Sequence, residues 1–106
     1  MLFRSSGQAV LVVASGDRRV SEKKVEAVLG ERLSRADADF VRTATGYVIG
    51  GVAPLGHAQP VRLLLDEGLC RFATVWAAGG TPYSVFPLTP PQLQALTGAA
   101  WADVCQ

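Results

Sequence analysis

Residues 45–57, with the sequence TGYVIGGVAPLGH, form the group best suited by type and spacing to hold a small polar ligand. Gly50 and Gly51 stand inside an apolar run that otherwise predicts a buried strand, and Pro54 then ends strand pairing. Glycine inside a strand usually marks a bulge or the close approach of a ligand. Backbone amides presented there suit a binding pocket, or hydrolysis that relies on positioning and oxyanion stabilisation rather than on a strong nucleophile. A plain bulge is the alternative.

Other hydrolytic and metal chemistry finds little support in the sequence. His57 is the single histidine, which excludes a multi-histidine metal site and leaves a serine triad unsupported. It could equally be an exposed loop residue. Cys70 and Cys105 lack metal-ligand spacing; two free thiols in a reducing cytosol are favoured over a disulfide between them. Gly79 and Gly80 match no phosphate-binding motif and most simply form a turn.

The densest group of basic side chains lies at a turn and a helix start. Its members are Arg18, Arg19, Lys23 and Lys24, in a chain whose formal net charge is only +1. The charge balance excludes a strongly basic protein but allows a local patch. This group is either a solvated face or a contact for nucleic-acid phosphates. Trp76 and Trp101 are interpreted as core residues, with base stacking as the alternative.

The elements that would position these residues follow from apolar patterning and punctuation. Strands are predicted over residues 2–4, 9–14, 47–52, 61–65, 72–77 and 83–87, and helices after Ser21, over residues 36–44, and after Thr89. Hairpins and helices alternate without a βαβαβ rhythm, which favours one α+β domain around a mainly antiparallel, partly closed sheet. At 106 residues the chain is one domain, and no apolar run has the length of about 18–20 residues that a membrane span needs.

Several segments taken together carry a family resemblance. Besides residues 45–57 they are GDRRVSEKKVEAVLG (16–30), RADADFVRTATG (35–46), LLLDEGL (63–69), FATVWAAGGTPYSVFPLTPPQLQALTGA (72–99) and WADV (101–104). In this order and at these spacings the whole chain resembles the YbaK family, whose domain is also inserted in bacterial prolyl-tRNA synthetases as an editing module. The resemblance implies a mixed α+β fold with a bent, barrel-like sheet and flanking helices.

The same resemblance implies a trans-editing activity. Family members hydrolyse the ester between a wrong small amino acid, such as alanine, cysteine or serine, and the 3′ end of a tRNA. They use no metal or organic cofactor, and they act in the cytoplasm on mischarged tRNA, in some cases beside an aminoacyl-tRNA synthetase. A non-catalytic module of the same fold that binds tRNA or a synthetase is the alternative expectation, and a bare structural fragment is a third.

Site residues follow from the resemblance by position. Gly50 matches the family glycine whose backbone borders the aminoacyl group, and Gly51, Val52, Ala53 and Pro54 complete that wall. Ala78, followed by Gly79, stands where a pocket serine often stands, so this pocket is expected to be more apolar. The family position of His57 varies among polar residues, so its role stays open.

The resemblance also has a gap at its start. Relatives carry a further N-terminal part, including a lysine in a K-[ST]-L motif that would fall just before Met1. We therefore expect residues 1–106 to be a single YbaK-like domain lacking the family's N-terminal third, with little or no activity without that lysine. We also expect a homo-oligomer or strand exchange to cover the apolar surface that such a loss exposes.

Overall fold

Two six-residue apolar strands form the centre of the sheet, and shorter strands extend it on both sides. The computed structural model describes residues 2–48, 51–81 and 83–106. The strands are β1 (Leu2–Ser5), β2 (Gln8–Val13), β3 (Ser34–Arg35), β4 (Val61–Asp66), β5 (Val75–Ala78), β6 (Val85–Leu88) and β7 (Ala100–Ala102). The helices are α1 (Glu22–Leu29), α2 (Ala38–Thr45) and α3 (Pro90–Thr97), with a 3₁₀ helix over Glu67–Arg71.

The main sheet is open and has the strand order β3-β1-β2-β4-β7, while β5 and β6 form a separate hairpin. Among the described strands, β1 pairs antiparallel with β2 and β3, β5 pairs antiparallel with β6, and β4 runs parallel to β2 and β7. The predicted α+β class with a mainly antiparallel sheet is confirmed. Closure of the sheet is wrong: the edge strands β3 and β7 have only two and three residues, and they lie at opposite ends of the strand order.

Strand alternation divides the apolar residues into two clusters on opposite faces of the sheet. Val10 and Val12 face α1, whose Val25 is fully buried among them. Leu65 faces the other way and packs with Leu93 of α3 and with the inner face of the β5–β6 hairpin. The hairpin and α3 therefore cover one face, and α1 covers the other.

Local signals set the helix boundaries where the sequence predicted them. The Ser21 side chain accepts a hydrogen bond from the Lys24 N–H at the start of α1, and Gly30 ends that helix. At α3, Thr89 and Gln92 form a capping box, with 3.2 Å from the Gln92 N to the Thr89 Oγ1 and 2.9 Å for the reciprocal bond. These short-range bonds depend only on neighbouring residues, so pattern alone could identify them.

Two predicted elements differ from the structure near the hairpin. Residues 72–74, predicted as strand, lie outside β5, and residues 83–84, also predicted as strand, lie outside β6. Trp76, interpreted from the sequence as core, is 65% exposed, because it lies on the outer face of β5. Trp101 is half-buried in β7, where it packs against the cluster that contains Leu93.

Candidate functional site

The segment after α2 forms a loop whose two ends are held together. The Ala58 N–H donates to the Thr45 carbonyl at 3.1 Å, and the Gln59 N–H donates to the Ala44 carbonyl at 2.9 Å. A compact loop closed at its base in this way is a frequent carrier of function. Gly50, the residue expected to border the aminoacyl group, lies outside the described residues.

The strand predicted over residues 47–52 is wrong for every residue of it that the structure describes. Tyr47, Val48, Gly51 and Val52 belong to no strand. The Gly51 N–H donates to the Val48 carbonyl at 3.0 Å, which turns the chain locally. Val48 is exposed and Gly51 is buried, so the described part of the run has the composition of a strand without a partner strand. The predicted wall of residues 51–54 is therefore a loop rather than a kinked ladder.

Two aromatic side chains brace this loop from inside. The Tyr47 hydroxyl donates to the Leu55 carbonyl at 2.9 Å, and His57 Nε2 lies 2.8 Å from the Ala53 carbonyl oxygen. Because a carbonyl can only accept, Nε2 carries the proton in this contact. The two rings meet edge to face, with centroids 6.1 Å apart. His57 thus holds the backbone at Ala53 in place, while Ala53 and Pro54 are buried beneath it.

The turn of the β5–β6 hairpin packs against the same tyrosine. The Gly79 N–H donates to the Ser84 carbonyl at 2.7 Å, which closes the turn. A Cβ placed on Gly80 would lie 3.3 Å from Cε1 of Tyr47. Tyr47 therefore couples the loop of residues 46–57 to the hairpin, and no sequence signal distinguished it as a structural residue.

A cavity of about 900 Å³ opens where the loop and the hairpin approach the sheet. Of the wall residues predicted from the sequence, Val52 and Ala78 line it. Gly51, Ala53, Pro54, His57 and Gly79 are not among its described lining residues. Leu2 and Leu11 of the sheet and Val41 of α2 form its apolar floor. The volume is typical of small-molecule sites and exceeds what a small aminoacyl group fills.

Hydrogen-bond donors at the cavity differ from those expected. The N–H groups of Gly51 and Gly79 already donate to Val48 and Ser84. The Val52 N–H, by contrast, has no acceptor among the described residues. Val52 is thus the wall residue that combines a place at the cavity with an uncommitted amide.

The predicted basic group is divided by the fold. Arg18 Nη1 lies 3.3 Å from Oδ2 of the fully buried Asp66. Lys24 Nζ contacts the Asp103 carboxylate at 3.0 Å and the Cys105 carbonyl at 2.8 Å. These two cations are engaged in holding the domain together. Only the remaining members of the group are left for an external ligand.

Arg19 and Lys23 are exposed, and neither forms an ion pair within the described part of the chain. Arg19 lines the cavity, as does Arg35 of β3, with the carboxylate of Glu22 beside them. Sequence reasoning missed Arg35 because a two-residue strand leaves no periodic signal. Its position depends on pairing with Phe3, more than 30 residues away along the chain.

The described residues offer no metal centre and no membrane-crossing helix. Across residues 2–48, 51–81 and 83–106, no three His, Cys, Asp or Glu side chains converge where a metal ion could bind. The three described helices have eight residues each, far below the length of a bilayer span. Both cysteines are free thiols, Cys70 exposed and Cys105 buried, as the sequence favoured.

Comparison with known proteins gives this geometry a context. The profile of the aminoacyl-tRNA editing domain family matches residues 1–96. Uncharacterized protein YwhH of Bacillus subtilis (strain 168) is 38% identical over 106 residues, which are 98% of this chain and 68% of that protein. Proline–tRNA ligase of Leuconostoc mesenteroides is 36% identical over 80 residues, which are 74% of this chain and 14% of the ligase.

Solved structures give the same result. A crystal structure described as that of a candidate trans-editing enzyme for prolyl tRNA synthetase superposes with a TM-score of 0.95 at 42% identity. The match covers 100% of this chain and 68% of that one, so this chain spans about two-thirds of the neighbour's length. The family resemblance seen in the sequence is confirmed, and the chain belongs to the YbaK-like family of aminoacyl-tRNA editing domains.

Proposed function

We propose that this domain hydrolyses the ester of a mischarged small amino acid on tRNA, as a trans-editing deacylase. The observation that carries the proposal is the cavity between Val52 and Ala78 in a chain of the editing-domain family. The aminoacyl group lies between the loop and the hairpin, and the terminal ribose lies toward the cavity mouth. Leu2, Leu11 and Val41 make the floor apolar, which suits a short uncharged side chain.

The reaction needs little from the protein because the ester is already activated. A water oxygen bonds to the carbonyl carbon, the bond from that carbon to the ribose oxygen breaks, and the water's proton ends on the ribose hydroxyl. The barrier falls when an oriented donor meets the developing oxyanion. We assign this donor to the Val52 N–H, because no described residue accepts a hydrogen bond from it. Gly51 shapes the same turn through its bond to the Val48 carbonyl.

The remaining predicted residues have supporting roles in this scheme. His57 and Pro54 keep the backbone at Ala53 fixed, through the 2.8 Å contact between His57 Nε2 and the Ala53 oxygen. Gly79 closes the hairpin that presents Ala78. A methyl group at residue 78 in place of a hydroxyl favours an apolar amino acid such as alanine over serine.

Contact with the tRNA itself falls to cations outside internal ion pairs. Arg19 at the cavity and Lys23 nearby on α1 are exposed and suit phosphate contacts. The sequence grouped Arg18 and Lys24 with them. In the structure Arg18 pairs with Asp66 and Lys24 pairs with Asp103, so either cation would contact tRNA only while also bound to its carboxylate. A synthetase or a second copy of the chain is a further proposed partner.

Single-turnover deacylation on a panel of aminoacylated tRNAs tests the proposal. We expect the chain to hydrolyse these esters slowly but above the buffer rate, and to remove alanine faster than serine and both faster than phenylalanine, whose side chain would compete with the terminal ribose for the cavity. Hydrolysis of all three at the rate of buffer alone would refute the deacylase function.

A non-catalytic tRNA-binding module is the second candidate. The observation that favours it is that the Gly51 and Gly79 amides already have backbone acceptors, which leaves fewer donors for an oxyanion. This candidate predicts binding of uncharged tRNA that weakens steeply with salt, without any acceleration of ester hydrolysis.

A further inference from the structure

An exposed tryptophan lies on the outer face of the hairpin, two residues before Ala78 of the cavity. Trp76 is 65% exposed, and its β6 neighbour across the hairpin is Pro87. Two residues along, Ala78 pairs with Val85, which is 63% exposed. The opposite face of the hairpin, with Val75, packs on the core. The outer face of the hairpin therefore leaves the apolar side chains of Trp76 and Val85 uncovered.

Trp76 also borders a second, smaller cleft. This cleft has a volume of about 240 Å³, and Trp76, Phe72, Ser15 and Gly16 line it together with core residues such as Leu69 and Leu93. The Arg71 guanidinium lies over the Phe72 ring, 4.6 Å from its centroid. Two partly exposed aromatic rings with a guanidinium plane beside them are typical of sites that stack flat bases.

The cleft and the cavity share no described lining residue, but Trp76 of the cleft and Ala78 of the cavity lie two positions apart on β5. Trp76 and Ala78 have side chains on the same face of β5, and positions two apart on a strand lie about 6.6 Å apart. This matches the separation within one nucleotide between the base and the ribose hydroxyl that carries an ester. A ligand with its ester against Ala78 can therefore reach Trp76 with its own base.

Charge selects a nucleic-acid end over a protein segment as the occupant. Arg19 lines the cavity and forms no ion pair within the described part of the chain. Its neighbours Ser15 and Gly16 line the cleft, so a phosphate leaving the cleft passes the loop that carries Arg19. An aromatic platform followed by an uncommitted cation fits a single-stranded backbone.

The geometry points to Trp76 as a positioning residue that stacks on the base of the terminal, ester-bearing nucleotide. This inference rests on the proposed function, because it takes the ester to lie in the cavity at Ala78. It adds Trp76 to the site and assigns a contact to the terminal base, which the wall residues Val52 and Ala78 do not bind. Stacking fixes the nucleotide while the loop holds the ester, without base-specific hydrogen bonds.

Binding of two RNA trinucleotides tests this inference. The first is CCA, and the second is the same molecule with the terminal base removed. We expect Trp76→Ala to weaken CCA binding by about 5- to 150-fold, the range for loss of one stacked base, and to leave abasic binding unchanged. Trp76→Phe should retain most of the affinity. Leu96→Ala, which removes exposed apolar surface on α3, is the matched control and should change neither.

Equal losses for the two trinucleotides, or none for either, would overturn the inference. So would sedimentation showing that Trp76→Ala changes only self-association. Ester hydrolysis by the unmodified chain is measured separately. If Trp76→Ala weakens binding of CCA but not of the abasic trinucleotide, and the unmodified chain hydrolyses no ester, the stacking is supported and the deacylase function is refuted. If the chain hydrolyses the ester but Trp76→Ala affects both trinucleotides alike, only the stacking is refuted.

Discussion

Replacing Gly56 by alanine should loosen the loop that forms one wall of the cavity. Gly56 has φ of +74°, and a Cβ there would lie 2.8 Å from the Tyr47 hydroxyl oxygen. The left-handed backbone costs an alanine about 1–2 kcal/mol. Displacing the hydroxyl from the Leu55 carbonyl costs about 0.5–1.5 kcal/mol more. The expected loss is therefore about 1.5–3.5 kcal/mol in the free energy of unfolding of the loop.

Gly30→Ala separates these two contributions. Gly30 has φ of +73°, and no described atom lies within 4 Å of its added Cβ, so this variant should lose only the backbone cost of about 1–2 kcal/mol. In a Tyr47→Phe background, Gly56→Ala should fall to the same value, because the clashing hydroxyl is gone.

Urea denaturation measures the global change in these variants. Hydrogen exchange of the Ala58 and Gln59 amides, which close the base of the loop, measures the local change. If Gly56→Ala costs no more than Gly30→Ala and Tyr47→Phe does not reduce its effect, the bracing role assigned to Tyr47 is wrong.

Three further changes test the framework behind the cavity. Arg18→Ala should destabilise the domain by about 3 kcal/mol in urea denaturation, because it leaves the buried Asp66 carboxylate without its cation. A loss below about 1 kcal/mol would contradict this pairing. Burial, reinforced by a hydrogen bond to Asp66, raises the pKa of the Cys105 thiol. Alkylation of Cys105 should therefore be slow, and its rate should still rise with pH above the pH range in which ordinary thiols ionise. Rapid labelling at neutral pH would contradict the raised pKa. A hydrogen bond from Ser15, with the Arg71 charge adding to it, lowers the pKa of Asp17. The ionised Asp17 therefore stabilises the fold at pH values above its unfolded-state pKa, and this stabilisation is lost as pH falls through its folded-state pKa. Ser15→Ala should move the NMR titration midpoint of Asp17 upward, and an unmoved midpoint would reject that cause.

Features set by neighbouring residues could be predicted from the sequence. The caps at Ser21 and Thr89, and the helix end at Gly30, each depend on bonds within a few positions. The family and the α+β class followed from ordered segments spread over the whole chain. None of these needed knowledge of distant contacts.

Features set by distant contacts could not be predicted. The apolar composition of residues 47–52 does not distinguish a strand from a loop without a partner strand, so the predicted strand was wrong for the residues of it that the structure describes. Arg35 reaches the cavity through pairing with β1, and Arg18 meets Asp66 from 48 positions away. The sequence around Trp76 does not indicate which face of β5 is exposed, because that depends on where the hairpin packs.

The most direct test of the account is the deacylation rate after the space beside Ala78 is filled. Ala78→Leu projects three further carbons into the cavity, while Ala100→Leu adds the same group at an exposed position of β7 and serves as the control. On alanyl-tRNA we expect Ala78→Leu to be at least about tenfold slower than the unmodified chain, corresponding to 1.4 kcal/mol, with Ala100→Leu unchanged. Equal rates for the two variants and the unmodified chain would contradict the claim that the loop and the hairpin enclose the reacting ester.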